Sequence, residues 1–199
     1  MNAPLEVGRL LRAGTRGFVA GCRISQFEAP AFGALVRVPL KSGEEIYGLI
    51  HDIQIADDGL VRQLVTSEHV SDEVMRDNRE RRIVPVEMSV LSIGYAQGDQ
   101  IYYLLPPRPP LSLDLIYLCS REETRRFTTG NFGYFRHILR ARELPIGELL
   151  ASHLQHTAPT HPNPQEWLQK AIQEIIILLR DDYSTLMAVL NALREVVQP

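Results

Sequence analysis

The chain has 199 residues, of which 45% are hydrophobic and 23% are charged, and its 24 acidic and 21 basic side chains leave a net charge of -3. This composition is typical of a folded globular protein and excludes a disordered chain or a general polyanion binder. The N-terminus lacks a signal-peptide pattern, no apolar run has membrane-spanning length and there are only two cysteines, so we expect a cytoplasmic protein without a membrane partner.

The first half of the chain has the pattern of an antiparallel β domain. Short apolar and β-branched stretches alternate with turn signals, as in sandwiches and barrels. Gly43 and Gly98 stand where tight hairpins require a positive φ. The predicted strands are Gly8–Ala13, Gly17–Ile24, Ala34–Leu40, Glu45–Ile55, Leu60–Thr66, Ile83–Ala96 and Gln100–Pro106.

Two segments punctuate this pattern. The polar segment Ser71–Arg82 fits a short flanking helix or a solvated loop equally well. Pro106–Pro110 contains four prolines in five residues and favours a stiff spacer, because proline fits neither a helix interior nor a central strand. The sequence therefore predicts an α+β chain, β first and then α: a small antiparallel β-barrel over residues 1–112 and an all-α domain over residues 113–199. Leu111–Leu118 also has the pattern of one more edge strand.

From Ser120 onward the apolar period becomes helical. Ser120 and Glu123 form a capping-box pattern that opens a first helix. Further helices are predicted over Phe132–Arg142 and Pro145–His156. Asn163, followed by proline and then by glutamate two residues further on, indicates the start of another helix.

The last two predicted helices each have an apolar face, and a cap at Asp181 or Asp182 separates them. Two such helices, joined tightly, are expected to pack as an antiparallel hairpin. Ile175–Leu179 is apolar on nearly all sides, which favours core packing but also fits an oligomer contact. The residues predicted to be buried are Trp167, Leu168, Ala171, Ile172, Ile175, Ile176 and Leu179 in the first helix and Leu186, Val189, Leu190, Leu193 and Val197 in the second.

The glycines and apolar stretches of the first half follow one another in an order that is also seen in a known barrel. The segments concerned are Gly8–Leu11, Phe18–Gly21, Gly33–Val38, Ile46–Ile53 and the proline-rich exit Leu105–Pro110. Over roughly residues 6–112 this order resembles the HAS-barrel, which HerA-type DNA translocases share with the catalytic subunits of rotary ATP synthases. The resemblance implies side-to-side packing in a ring and positioning of neighbouring domains. It does not imply ATPase activity, because no G-x-x-x-x-G-K-[S/T] loop occurs in the chain.

The candidate constellations for catalysis or metal binding are weak. Gly14–Gly21 fails the spacing of a dinucleotide loop and fits a barrel turn better. His153 and His156 have the spacing of a metal-binding pair, but solvated histidines at a helix end explain them better. Cys119 with His137 lacks an orienting group. The sequence therefore predicts no enzyme, no metal site and no cofactor.

The arginine/aromatic segment, residues 121–142, is the main candidate for binding. Residues 120–142 carry 6 arginines and 2 glutamates, a balance of 6 − 2 = +4, whereas residues 143–199 carry 3 basic and 7 acidic groups, a balance of 3 − 7 = -4. Arginine grips phosphates and aromatic rings stack on unpaired bases. An amphipathic helix with buried aromatics, or a protein interface, fits the same pattern. The candidate binding residues are Arg125, Arg126, Phe132, Tyr134, Arg136 and Arg140.

The function predicted from the sequence is a non-catalytic adaptor or assembly protein. Its partner is expected to be a HerA-type or other ring ATPase, as the resemblance implies, or copies of itself in a homo-oligomer. The alternative is a barrel protein that binds nucleic acid through the arginine/aromatic segment. In the first case we expect the contacts to come from that segment and from the apolar tail helix.

Overall fold

Strands occupy the first half of the chain and helices the second in the computed structural model, which describes residues 5–25, 30–55, 66, 83–141 and 143–197. The strands are β1 (Leu5–Ala13), β2 (Gly17–Ser25), β3 (Leu35–Pro39), β4 (Glu44–Ile55), β5 (Ile83–Gln97), β6 (Gln100–Tyr102) and β7 (Leu115–Leu118). The α-helices are α1 (Arg121–Thr129), α2 (Phe135–Leu139), α3 (Ile146–Thr157), α4 (Pro164–Leu178) and α5 (Tyr183–Val197). A 3-10 turn, Ala158–Thr160, separates α3 from α4.

Six of these strands close into an antiparallel barrel. Their order is β2-β1-β7-β3-β4-β5, and β5 pairs with β2 along its N-terminal half, so that the sheet returns to its first strand. β6 extends β5 as a short hairpin arm through the turn at Gly98, whose φ of +58° suits the glycine. The predicted order, a small antiparallel barrel and then helices, is confirmed.

The barrel is closed by a strand that follows the proline segment. β7 pairs with β1 on one side and with β3 on the other, so it is an interior strand and not the predicted edge strand. Because β7 has only four residues, its sequence pattern does not show whether the strand has one neighbour or two. The barrel sheet therefore extends to Leu118, past the predicted boundary at residue 112, and Pro106–Pro110 lies in the connection between β6 and β7.

Apolar side chains pack on both faces of the barrel wall. Ile46 and Ile50 of β4 belong to a cluster formed by barrel residues alone, whereas Tyr47 and Leu49 belong to a second cluster that the helices share. Burial on both faces explains why β4 lacks the apolar–polar alternation of a strand with one solvated face. The helical residues of the second cluster include Phe127, Phe135, Ile138, Leu149, Leu150, Leu154, Trp167 and Ile175.

The last helix packs mainly on α3 and not on α4. Small residues allow this approach: a Cβ added to Gly147 of α3 would lie only 3.2 Å from the Cβ of Ala192 in α5. The predicted hairpin of α4 and α5 is therefore wrong, because the close contact with α3 takes the apolar face of α5.

Two predicted elements fall largely outside the described residues. Of the strand predicted over Leu60–Thr66 only Thr66 is described, and its backbone is helical and not extended; Ser71–Arg82 lies outside the described residues. Apart from Thr66, both stay predictions.

Candidate functional site

The arginine/aromatic segment starts with the helix cap that the sequence predicts. Ser120 Oγ accepts a hydrogen bond from the backbone N–H of Glu123 at 3.2 Å, and Glu123 Oε2 accepts one from the backbone N–H of Ser120 at 2.7 Å. This reciprocal capping box satisfies two backbone donors at the start of α1. It also fixes the position of the Glu123 carboxylate, whose second oxygen is turned towards the barrel.

An ion-pair cluster joins that carboxylate to the barrel wall. Arg37 of β3 donates from Nε to Glu123 Oε1 at 2.7 Å and from Nη1 to Glu45 Oε1 at 3.1 Å. Tyr47 Oη donates to Glu45 Oε2 at 3.0 Å, and the Arg37 side chain is only 12% exposed. Burial alone would raise the pKa of Glu123, but the helix-cap hydrogen bonds and Arg37 outweigh it and lower the pKa below its usual value. The sequence analysis did not identify this cluster.

Tyr134 lies in the core. Its exposed fraction is 0%, and its hydroxyl oxygen lies 3.1 Å from His153 Nε2. Phe127, from the same segment, is equally buried and stacks on Tyr47 with 4.6 Å between ring centroids. A fully buried ring offers no face to a base or to a protein surface, so Tyr134 is a core residue here and not a surface contact.

Phe132 is half-buried and packs within the helical part. Its ring centroid lies 5.2 Å from that of Phe135 and 5.6 Å from that of Trp167. The Phe132 ring is therefore used for tertiary packing. This agrees with the alternative given in the sequence analysis, an amphipathic helix whose aromatic side chains are buried.

Two of the four candidate arginines are bonded to the barrel. Arg126 donates from Nη2 to the carbonyl oxygen of Gly98, in the β5–β6 turn, at 2.8 Å. Arg136 donates to the carbonyl oxygen of Tyr103, just after β6, and the half-buried His137 lies 3.0 Å from the same oxygen. These residues hold α1 and α2 against the β5–β6 arm.

The other two candidate arginines are exposed. Neither Arg125 nor Arg140 forms an ion pair with another residue in the described part of the chain. Arg142 lies outside the described residues. Since the affinity for nucleic acid grows with the number of phosphates neutralised, two separate arginines are a weak basis for it.

His153 and His161 of the helical part are buried, whereas His156 is exposed, so the prediction of a solvated histidine is wrong for His153. Burial lowers the pKa of His153 to about 4, which keeps it neutral beside Tyr134. His161 stacks on Trp167 with 4.6 Å between ring centroids, and its Nε2 lies 2.9 Å from Thr128 Oγ1. Within the described ranges, no group of three or more His, Cys, Asp or Glu residues could hold a metal ion.

An exposed apolar cluster lies where α4 ends and α5 begins; we call it the α4–α5 corner. Its members are large apolar side chains with exposed fractions between 38% and 72%. Ile176, predicted to be buried, is 41% exposed because α5 packs on α3 and leaves this side of α4 uncovered. The corner consists of Ile176, Ile177, Leu178, Tyr183 and Met187.

Two open grooves meet at His51 of β4. One, with a volume of about 580 Å³, runs between the end of β4 and the loop before α3. The other, of about 380 Å³, lies beside the β1–β2 turn and carries Arg12 and Arg16. The lining of the first groove is Phe32, His51, Asp52, Ile53, Glu143, Leu144 and Pro145.

Comparison with known proteins does not assign the chain. A scan against protein-family models and a search of curated proteins find no match. Among the helices that the structure describes, none has both the length and the apolar character needed to cross a bilayer.

Proposed function

We propose that the protein is a non-catalytic adaptor or assembly module that binds a protein partner through the α4–α5 corner. The observation that carries this proposal is the exposure of five large apolar side chains at one corner of the helical part. Large apolar side chains that are exposed on both sides of one helix connection mark an interaction site, since water exposure of such side chains is unfavourable. Two members of the corner, Tyr183 and Met187, are of residue types that are enriched in protein interfaces.

The partner that we propose is a HerA-type or other ring ATPase, or further copies of this chain in a homo-oligomer. The closed six-stranded barrel supports this choice because it agrees with the small barrel that the sequence resembles. The chain itself has no phosphate-binding loop motif, so the partner would supply any nucleotide hydrolysis.

The contacts of the arginine/aromatic segment do not favour the alternative, a nucleic-acid-binding function. Tyr134 is buried, and Arg126 and Arg136 already donate to backbone carbonyls of the barrel. The alternative predicts binding to single- or double-stranded probes that weakens steeply with salt.

The corner can be tested with a charge placed at its centre. In the purified full chain, Ile177→Glu should abolish self-association measured by light scattering, or the capture of a ring ATPase from the native host measured by mass spectrometry. Gln173→Glu adds the same charge at an exposed position of the same helix and should retain both. The proposal is wrong if Ile177→Glu behaves as the unmodified chain does, or if the unmodified chain is monomeric and captures no protein.

A further inference from the structure

One edge of β4 is paired along only part of its length. β5 pairs with β4 as far as Ile55. On the opposite edge, β3 pairs with β4 only as far as Leu49, and the last backbone hydrogen bonds join Ile50 to the loop before β3. His51–Ile55 therefore continues as a strand whose outer edge has no strand partner among the described residues.

The 580 Å³ groove lies along this open edge. On the far side it is bounded by the loop before α3, which contributes Leu144 and Pro145, and by Phe32 from the loop before β3. The Phe32 carbonyl oxygen accepts a hydrogen bond from Ser152 Oγ of α3 at 2.6 Å, which fixes the position of this wall. An extended chain in the groove would therefore have backbone groups of β4 on one side and apolar side chains on the other.

The charged side chains that line this groove are carboxylates, whereas Arg12 and Arg16 line the second groove, which shares His51. The carboxylates are those of Asp52 and Glu143, and Glu143 is exposed. The third titratable group is His51, and burial lowers its pKa, an effect that the neighbouring Asp52 only partly offsets, so the imidazole is neutral at pH 7. Asp52 Oδ2 accepts from Gln54 Nε2 at 2.8 Å and has no cationic partner in the described part of the chain.

We propose that the β4 edge binds an extended peptide segment of a partner protein, in which apolar residues alternate with lysine or arginine. The added strand pairs with the outward backbone groups of His51–Ile55, which have no strand partner in the described ranges, while its apolar side chains contact Phe32 and Leu144. Its cationic side chains pair with Asp52 and Glu143. This inference rests on the proposed role as a binding module but concerns a different surface from the α4–α5 corner.

Two other occupants fit the groove less well. Nucleic acid would bring phosphates close to Asp52 and Glu143. A second copy of the chain, pairing β4 with β4 around a two-fold axis, would place the same acidic strand end against itself, and like charges on neighbouring strands are unfavourable.

The test uses three synthetic peptides and the full-length chain labelled for amide-resolved NMR. The first probe is an acetylated, amidated heptapeptide of alternating valine and lysine, the second replaces each lysine with glutamate, and the third is the lysine peptide with alternate backbone nitrogens methylated. We expect the lysine peptide to shift the amides of residues 51–55 and those of Glu143 and Leu144. Affinity should fall at least about tenfold for the glutamate peptide, and methylation in the pairing register should abolish binding, because it removes the backbone donors.

Isosteric variants of the groove carboxylates test the charge contribution. Asp52→Asn and Glu143→Gln should each lower the affinity for the lysine peptide by about two- to fivefold, as expected for partly exposed ion pairs. Glu122→Gln removes the same charge from an exposed position of α1 that does not line the groove, and should have no effect.

Several outcomes would overturn the inference. These are equal binding of the lysine and glutamate peptides, shifts outside the groove, and slow exchange in the free chain of those amides of residues 51–55 that point away from β5, which would mean that the edge is already covered. Self-association that protects the same amides would assign the edge to a second copy instead. Ile177→Glu separates the two proposals, because it should abolish the corner contact and leave peptide binding unchanged.

Discussion

His153 couples the stability of the helical part to pH. It is fully buried, and its pKa is about 4 compared with an ordinary value of 6.5, because burial disfavours the charged imidazole. Between these two pH values the unfolded chain binds more protons than the folded chain does. The free energy of unfolding therefore falls as the pH is lowered from 6.5 to 4, by up to about 3 kcal/mol from this residue.

Urea unfolding at pH 7.5 and pH 4.5 measures this contribution. His153→Gln should show a smaller loss of stability between the two pH values than the unmodified chain, whatever its stability at pH 7.5. Gln155→Ala changes an exposed residue of the same helix that does not titrate and should leave the loss unchanged. An equal loss in His153→Gln would show that the buried imidazole does not cause the pH dependence.

Gly33 is required for a close approach as well as for its backbone conformation. Its φ is +77°, and an added Cβ would lie 2.6 Å from Ser152 Oγ and 2.9 Å from the backbone nitrogen of His153. Gly33→Ala should therefore lower the free energy of unfolding by about 3 kcal/mol, as the sum of conformational strain and overpacking. Gly43→Ala is the matched control, since its φ is +91° but an added Cβ meets nothing within 4 Å, and should cost only about 1 kcal/mol. Equal losses in thermal or urea unfolding would contradict the packing argument.

Residues that act locally could be predicted from the sequence, and those that act across the fold could not. Ser120 and Glu123 are three positions apart, so their capping box is visible in the sequence and is present in the structure. Arg37 and Glu123 are 86 positions apart, and no local pattern relates them. The open edge at His51–Ile55 was likewise missed, because the sequence shows that a strand is present but not how far its neighbour extends along it.

At the level of elements, Arg37 holds α1 on the barrel wall. The pair between Arg37 and Glu123 is largely buried, with side-chain exposures of 12% and 28%. Replacing Glu123 leaves the largely buried Arg37 with Glu45 as its remaining charged partner among the described residues, so we expect Glu123→Gln to cost about 2 kcal/mol, which is below the range for a fully buried pair. A double-mutant cycle with Arg37→Leu should give a coupling energy of about 1 kcal/mol or more.

The i,i+4 pair of Lys170 and Glu166 on α4 provides the comparison for this cycle. Its side chains are 62% and 55% exposed, and the same cycle there should give a clearly smaller coupling energy, because water screens exposed charges. Similar coupling energies at the two pairs, measured by urea unfolding, would show that Arg37 does not hold α1 in the way proposed.

The helices themselves were easier to predict than their packing. α4 starts at Pro164 after Asn163, as the sequence indicates, because proline at the first helical position is a local signal. The apolar face of α5 fits α3 as well as it fits α4, and the period of the sequence does not distinguish between these neighbours. The small residues Gly147 and Ala192, which allow α5 to approach α3, are recognisable as a contact only once the fold is known.

At the scale of the whole molecule, the barrel and the helices share an apolar cluster, so the stability of each part depends on the other. Tyr47, Leu49 and Ile93 of the barrel wall are each at most 1% exposed and belong to the same cluster as Phe127 and the other helical core residues. Removing the helices would expose these side chains, at a cost of about 1.5–3 kcal/mol for each fully exposed residue. A chain ending at residue 119 is therefore not expected to fold stably.

The full chain should for the same reason unfold in one cooperative transition. Trp167, the single tryptophan, lies on α4 and reports the helical part by fluorescence, whereas amide exchange in β1, β2 and β5 reports the barrel. Both probes should give the same free energy of unfolding in urea, since loss of the shared cluster destabilises both parts together. A tryptophan transition at lower urea, with the barrel amides still protected, would show instead that the barrel is stable without its helices.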